Sequence, residues 1–280
     1  MMPISWNEGR AFLLILIRVG VILFMFPFFN SRIIPAPLKA GLALLFAIIL
    51  FPVVDREILE FPDTVWGIAQ LIIAEAIIGM ILGLLVQIFF ESVRIMGQLV
   101  GFQTGFDITN ILDPQSGMQV SILSNMAYLL AMTMFLIMNG HHILIAAIRE
   151  SFEIIHVGHC GLSGKMFQKM MGLSADMFGI AIKIGAPAIA SLLFTKIAFG
   201  LITRMMPQMN IMIAAFPVQI VVGLFFFGIS LYGLLGITEH YVGDLMHVLR
   251  GTMTLLGRKG WLILVFNGGL THFPWKAGTK

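Results

Sequence analysis

The chain alternates long apolar stretches with polar connections, of which residues 140–176 form the longest and most polar. A helix that crosses a membrane needs about 20 consecutive apolar residues, and six stretches of this sequence approach that length. They are residues 11–29, 38–54, 65–90, 122–139, 177–199 and 211–235. A seventh apolar run, residues 261–266, is too short to span. The pattern predicts an all-α, polytopic membrane protein made of helical hairpins, with about six long apolar helices.

No internal repeat and no linker divides the sequence into soluble domains. Residues 1–255 are therefore interpreted as a single helical membrane domain. Residues 256–280 lack the pattern of a membrane helix and form a C-terminal tail whose structure the sequence leaves open. If all six stretches span, the distribution of Lys and Arg between alternate connections favours a cytoplasmic location for both termini.

Composition supports the membrane interpretation and argues against a nucleic-acid partner. Hydrophobic residues make up 59% of the chain and charged residues 11%, with a mean hydropathy of +0.97. A soluble domain carries about 25% charged residues, so lipid or partner helices must cover this surface. The formal net charge is +3, but the Lys and Arg residues are scattered. No nucleic-acid partner is expected, because no basic patch is present.

The sequence contains no motif that indicates catalysis or a cofactor site. The zinc-protease, P-loop, Gly-x-Ser-x-Gly and dinucleotide-binding patterns are all missing from it. Cys160 is the single cysteine, so neither an intramolecular disulfide nor a Cys-only metal cluster can form. His156 and His159 lie near Cys160, but a zinc site needs more ligands at a better spacing. We therefore expect no enzymatic activity, no metal and no cofactor.

Four charged residues lie inside the apolar stretches: Arg18, Glu75, Lys183 and Lys196. A charge within the hydrocarbon region is costly and usually faces a bundle interior or an aqueous path. We expect these residues to face away from lipid and to pair with one another or with a partner subunit. The alternative is a direct role in a conduction path.

Glycines recur at a four-residue spacing in and after the third stretch. Gly79 and Gly83 form one such pair, and Gly97, Gly101 and Gly105 repeat the spacing. Small residues four apart let two helix backbones approach closely in a membrane. The five glycines are therefore interpreted as a helix-packing ridge; the alternative is the glycine content common to membrane proteins.

Residues 105–117 interrupt the helical pattern between the third and fourth stretches. The sequence includes Phe106, Asp107 and the pair Asp113-Pro114, and it ends at Gly117. The residue before a proline avoids the helical region, and irregular backbone at membrane depth must be buried in protein or line water. The loop is interpreted as a gate loop at or in a pore, with an ordinary surface loop as the alternative.

A short polar hairpin, residues 204–210, joins the last two long stretches. It carries Arg204, Pro207, Gln208 and Asn210 and is followed by Pro217. This density of polar and proline residues predicts a defined protein contact. The alternative is a plain connection between two membrane helices.

The sequence resembles the FliR family around this hairpin. The segments that carry the resemblance are Gly-Ala-Pro at residues 185–187, Gly-Leu-Ile-Thr-Arg-Met-Met-Pro-Gln-Met-Asn at residues 200–210 and Ala-Phe-Pro at residues 215–217. Earlier segments agree in order. They are Glu75 with the two glycines that follow it, residues 101–106 with Asp113-Pro114 and Gly117, and residues 139–142 with 151–152. The resemblance covers about residues 10–250 and does not reach the tail.

The resemblance implies a core subunit of the flagellar type III protein-export gate. Such a subunit is expected in the bacterial inner membrane at the flagellar basal body, in a hetero-oligomeric complex with FliP and FliQ and with FlhB nearby. The complex passes unfolded flagellar proteins. The resemblance also implies that apolar hairpins pack mostly on partner subunits, which would make six an overestimate of the membrane crossings.

On this hypothesis the chain is a passive gate. The loop at residues 106–117 seals the channel, and Glu75, Lys183, Lys196 and Arg204 hold subunit contacts. A virulence-type secretion gate subunit shares the implied fold and stays an alternative. A small-molecule secondary transporter is a second alternative, since Pro187 with Lys183 is compatible with a broken helix at a binding site, although the halves show no inverted repeat.

Overall fold

The computed structural model describes residues 6–29, 34–54, 64–106, 121–158, 160–208 and 211–257. Seven helices and no strand lie within these residues. They are α1 (Trp6–Met25), α2 (Ala36–Leu50), α3 (Val65–Thr104), α4 (Ile122–Ile137), α5 (Gly140–Ile154), α6 (Gly164–Met205) and α7 (Ile211–Gly257). The predicted all-α membrane class is confirmed.

Each of the six apolar stretches is helical, but three helices are longer than the sequence pattern indicates. α3 continues beyond residue 90 to Thr104, α6 begins at Gly164 rather than residue 177, and α7 runs to Gly257. The connection expected at residues 140–176 contains all of α5 and the start of α6. These boundaries were wrong because polar side chains on one face lower the mean hydropathy of a segment that is still helical.

Three described helices are long and apolar enough to cross a membrane: α3, α6 and the Ala215–Gly257 part of α7. The pair α4 and α5 also passes if it counts as one span, bent by 69°. α2 has 15 residues, and α1 carries three charged side chains within its 20 residues. The expected six crossings are therefore reduced to three or four by length and composition.

The long helices exceed the thickness of a bilayer. α3, α6 and α7 contain 40, 42 and 47 residues, which corresponds to about 60–70 Å at 1.5 Å per residue. The hydrocarbon core of a membrane is about 30 Å thick. Each helix therefore has roughly half its length available for contacts outside the hydrocarbon.

α3 is the centre of the bundle, and α1, α4, α6 and α7 pack on it. α1 runs parallel to α3, since Arg18 meets Glu75 and Val21 meets Gly79. α7 runs antiparallel to it, since the Tyr241 hydroxyl donates to the carbonyl of Leu85, whereas the far end of α3 lies near Gly223. α6 and α7 form a long antiparallel hairpin with the most extensive contact in the molecule.

A sharp break separates α4 from α5. Asn139 has a φ of 58° and is the one described non-glycine residue in the left-handed region. Asparagine tolerates this conformation better than most residues. Gly140 follows it with no room for a side chain, because a β-carbon there would overlap the ring of Phe135. The two residues together turn the chain and direct α5 back towards α1.

Candidate functional site

The glycines of α3 lie at two helix contacts. A β-carbon on Gly79 would lie 2.9 Å from the Val21 β-carbon and 3.0 Å from the carbonyl oxygen of Arg18. A β-carbon on Gly83 would overlap Met25. Contacts under 3.0 Å are sterically forbidden, so these two glycines allow α1 and α3 to approach closely.

The second contact is between α3 and α4. A β-carbon on Gly97 would lie 2.7 Å from the Ser124 nitrogen and 2.9 Å from the carbonyl oxygen of Leu123. The Ser124 hydroxyl donates to the carbonyl of Arg94 at 2.9 Å and joins the two backbones. Gly101 is buried one turn further along α3. Close backbone packing therefore continues along α3 from α1 to α4.

Gly105 has a different role from the other four glycines. It adopts a φ of 84° and ends α3, with its N–H donating to the carbonyl of Phe102 at 3.3 Å. The interpretation of Gly105 as part of a continuous ridge was wrong, because the helix stops before it. Glycine suits this position since a left-handed residue after a helix pays no steric penalty without a side chain.

Arg18 and Glu75 form a buried ion pair at the contact of α1 with α3. The Arg18 Nε donates to Glu75 Oε2 at 2.5 Å, and Nη2 donates to Oε1 at 3.1 Å. Both side chains are fully buried. A bidentate pair of this kind is stronger and more specific in geometry than a single charged hydrogen bond. The structure therefore brings together two of the four charges that the sequence singled out.

Backbone groups of α5 and of the following connection complete the site. Arg18 Nη1 donates to the carbonyls of Ser151 at 3.0 Å and Ile155 at 2.9 Å, so the guanidinium caps the negative end of α5. The Phe152 ring lies 4.3 Å from the guanidinium carbon. The Gly158 N–H donates to Glu75 Oε1 at 2.6 Å. We call Arg18, Glu75, Ser151, Phe152, Ile155 and Gly158 the Arg18–Glu75 cluster.

Cys160 lies beside this cluster, in the connection between α5 and α6. Its side chain is buried, and burial together with the charge of Glu75 raises the pKa of the thiol to about 11. The Gly161 N–H donates to the carbonyl of Leu256 at 2.8 Å, which fastens the same connection to the end of α7. The connection therefore joins α1, α3 and α5 to the α6–α7 hairpin. Sequence reasoning considered Cys160 only for a disulfide or a metal site and missed this position.

The other candidate charges lie away from the cluster. Lys183, Lys196 and Arg204 are exposed on α6, and none of them contacts an acidic side chain within the residues that the structure describes. Pro207 and Gln208 are exposed in the turn that follows, and Asn210 lies outside the described residues. The structure therefore separates these positions from Arg18 and Glu75.

The gate loop is described only at its first residue. Phe106 is half-buried directly after the left-handed Gly105. Asp107, Asp113, Pro114 and Gly117 lie outside the described residues. The structure thus shows where the loop begins. It leaves α3 at the C-terminal end of that helix, which is the end further from Glu75.

A model of the family "Bacterial export proteins, family 1" matches residues 10–245. The chain belongs to this family. Its similarity to individual members of the family extends over most of this chain. The flagellar biosynthetic protein FliR of Bacillus subtilis is 30% identical over 251 residues, which cover 88% of this chain and 96% of that protein.

Two further FliR proteins are also similar over most of their length. FliR of Escherichia coli is 26% identical over 234 residues, covering 84% of this chain and 89% of its own. FliR of Caulobacter vibrioides is 27% identical over 221 residues, covering 79% and 88%. The FliR-family membership predicted from the sequence is confirmed. The residues matched to the family include the Arg18–Glu75 cluster and the turn between α6 and α7.

Proposed function

We propose that this chain is a core membrane subunit of the flagellar type III protein-export gate. It assembles with FliP-type and FliQ-type proteins in the bacterial inner membrane at the flagellar basal body, with an FlhB-type protein nearby. Together they form the channel for unfolded flagellar proteins. Family membership supports this proposal, as do the several relatives that are named flagellar biosynthetic protein FliR.

The surface of the α6–α7 hairpin is the observation that carries the proposal. Large apolar side chains are exposed along both helices, with Phe194 and Phe225 both more than half exposed. Lys183 and Lys196 lie among them without an acidic partner in the described part of the chain. Lipid covers apolar side chains but not ammonium groups. A surface that mixes the two fits contacts with other protein subunits.

The Arg18–Glu75 cluster is proposed to act as a structural junction of the subunit. It holds the end of α5 and the connection to α6 against α1 and α3. The α6–α7 hairpin therefore keeps a fixed position relative to the rest of the bundle. A defined position is what a subunit needs when it must match several partners at once.

The chain is proposed to be a passive conduit rather than an enzyme. The ion pair is buried and saturated with hydrogen bonds, so it offers no free acid, base or nucleophile. Energy for export then comes from other components of the apparatus.

The loop at residues 106–117 is proposed to seal the channel when no substrate passes. Its support is the abrupt end of α3 at Gly105, which places Phe106 at the end of the central helix. Deletion of residues 106–117 is expected to make membranes with the assembled complex leaky to small ions and solutes. Unchanged permeability, with the complex still assembled, would contradict the sealing role.

Lys183 is the residue on which a small-molecule transporter would depend. It is exposed on α6 rather than placed around an interior cavity, so the geometry favours the gate subunit. Native mass spectrometry of the tagged chain purified from its own membrane distinguishes the two. One copy of this chain bound to several copies of other small membrane proteins supports the gate. A stable lone monomer or homodimer contradicts it.

A further inference from the structure

A cavity of about 400 Å³ lies between the C-terminal ends of α2 and α5. Its volume falls within the range of about 300–1,000 Å³ that is usual for small-molecule sites. Phe152 lines it and also contacts the Arg18 guanidinium, so the cavity adjoins the Arg18–Glu75 cluster. We call it the α2–α5 cavity. The lining residues used below are Leu50, Val53, Val54, Arg149 and Glu153.

The α2 side of the cavity continues into an exposed apolar surface. Leu45, Ile48, Ile49 and Val53 are each just over half exposed. No charged residue occurs from Leu45 to Val54. A contiguous exposed apolar surface on a membrane protein is suited to lipid acyl chains. The cavity therefore opens at the end of a surface that favours hydrocarbon.

The α5 side of the cavity is charged. Ile145, Ala146, Arg149 and Glu153 are exposed and recur every three or four positions, which puts them on one side of the helix. Along this side the residues change from apolar to charged as α5 approaches the cavity. Such a change is typical of the level at which a helix passes from hydrocarbon to lipid headgroups.

Arg149 and Glu153 give the chemistry of the ligand. Arg149 Nη2 lies 3.2 Å from Glu153 Oε1, and the two side chains are 63% and 57% exposed. An exposed pair of this kind contributes little to stability, so each member can exchange its partner for a ligand group at small cost. A free anion would leave Glu153 without a partner, and a free cation would leave Arg149 without one. A ligand that carries both charges satisfies both side chains.

We infer that the α2–α5 cavity binds the headgroup of one phosphatidylethanolamine-type lipid. The phosphate accepts hydrogen bonds from the Arg149 guanidinium, and the primary ammonium donates to the Glu153 carboxylate. The acyl chains lie along the exposed apolar surface of α2. Residues four apart on a helix have β-carbons about 5–6 Å apart, a separation suited to the short ethanolamine linker between the two charges.

The first experiment locates the lipid. The tagged chain, in the complex purified from its own membrane, is placed in phosphatidylcholine nanodiscs with a small fraction of photoreactive phosphatidylethanolamine. The photoreactive group is on the acyl chain near the glycerol, so the headgroup is intact. After irradiation, mass spectrometry is expected to find the adduct within residues 45–54. Adducts that are as frequent on α6 and α7 as on α2 would overturn the inference.

A matched phosphatidylglycerol probe tests the headgroup. It keeps the phosphate and lacks the ammonium, so it cannot donate a charged hydrogen bond to Glu153. Its adduct yield is expected to be at least about tenfold lower, since a hydrogen bond between charged groups is worth about one tenfold step in affinity or more. Equal yields from the two probes would overturn the assignment of a zwitterionic ligand.

Substitutions test the two charges separately. Arg149→Ala is expected to lower the phosphatidylethanolamine adduct at least about tenfold, whereas Arg149→Lys keeps most of it. Glu153→Gln should lower the same adduct and leave the phosphatidylglycerol adduct unchanged. Asp244→Asn is the matched control, because Asp244 forms an exposed pair with His240 on α7 and does not line the cavity. Equal yields from Arg149→Ala and Asp244→Asn would contradict the inference.

Competition distinguishes a lipid from a free phosphate. Millimolar inorganic phosphate and soluble phosphoethanolamine are expected to leave the adduct yield unchanged, because neither gains the apolar contact of acyl chains with α2. Displacement of the probe by inorganic phosphate alone would assign the cavity to a free anion and overturn the inference.

The lipid site and the proposed gate function fail in different ways. The site requires only that α2 and α5 lie at a membrane surface. If the chain purifies without any other membrane protein, the gate function fails, and an adduct within residues 45–54 still supports the site. If the complex assembles and native mass spectrometry finds the same number of bound phosphatidylethanolamine molecules in the parent and Arg149→Ala, only the lipid inference fails.

Discussion

Arg18 and Glu75 are 57 positions apart in the sequence and form a bidentate ion pair with no exposure to solvent. The pair lies between α1 and α3, which run parallel, and it also holds the end of α5. The pair, with Arg18 from α1 and Glu75 from α3, thus holds the three helices α1, α3 and α5 in contact. Removal of either partner leaves the other charged, buried and unpaired.

The first prediction concerns this pair. Arg18→Ala or Glu75→Ala is expected to destabilise the folded chain by about 3–5 kcal/mol, the usual cost of an uncompensated buried charge. Arg18→Met with Glu75→Met should be less damaging than either single change. It should still fall short of the parent, because the carbonyls of Ser151 and Ile155 lose their donor. The measurement is the fraction of chain that stays soluble in mild detergent after heating.

The matched control is the ion pair of Arg149 with Glu153, which lies on the surface of α5 with both side chains more than half exposed. Exposed pairs contribute about 0–1 kcal/mol, so Arg149→Ala should change the heating profile little. Equal effects of Arg18→Ala and Arg149→Ala would contradict a special role for the buried pair.

The second prediction concerns the close approach of α1 and α3. Gly83→Ala is expected to destabilise the chain by about 1–3 kcal/mol, the usual range for overpacking a tight contact, because its β-carbon would overlap Met25. Gly233→Ala on α7 is the control, since a β-carbon there meets nothing within 4 Å. It should be neutral or slightly stabilising, as alanine is the better helix former. The same heating assay compares the two.

The third prediction concerns Cys160. Its pKa is raised from an ordinary 9.0 to about 11, so at pH 8 the thiol of the folded chain is protonated as well as buried. Maleimide is expected to label it slowly in the folded chain and rapidly after denaturation. The chain with Cys160→Ala and Glu153→Cys, which places a thiol at an exposed position, should label rapidly in both states. Rapid labelling of folded Cys160 would show that the cluster opens.

The same shift has a consequence for stability. Below pH 9 the thiol is protonated in the folded and in the unfolded chain, so its burial makes its full contribution to the free energy of unfolding. Between pH 9 and about 11 the unfolded chain loses the proton and the folded chain keeps it, so the free energy of unfolding falls as pH rises. Cys160→Ala should remove this part of the alkaline destabilisation. A pH series of denaturant unfolding in detergent, with and without the substitution, measures it.

The sequence predicted the helical class and the existence of six of the helices because their apolar residues are contiguous. It missed α5, whose mean hydropathy is low, although its buried residues repeat at helical spacing: Leu144, Ala147, Ile148, Ser151 and Phe152. A periodicity argument at these positions would have found it. The pairing of Arg18 with Glu75 could not be predicted, because the apolar stretches offer Glu75 three possible cationic partners, Arg18, Lys183 and Lys196, and only the packing of α1 on α3 selects one.

Residues 140–176 show the same limit for boundaries. Polar side chains there indicated a connection, yet the structure has α5 and the start of α6, with Ser163 capping α6 by accepting from the Met166 N–H at 3.3 Å. Serine before an amphipathic helix is a recognisable start signal. The turn between the two helices depends instead on contacts to Glu75 and Leu256, which lie far away in the sequence.

The last prediction concerns the bend between α4 and α5. Asn139 holds a left-handed conformation that costs a β-branched residue at least about 1–2 kcal/mol. Asn139→Val is therefore expected to disfavour the bend, and Asn139→Gly should preserve it. Because the bend brings Ser151 and Ile155 to Arg18, its loss should also loosen the cluster and expose Cys160. Maleimide labelling in the native membrane provides the readout: faster labelling with Asn139→Val than with Asn139→Gly is expected, and equal rates would separate the bend from the cluster.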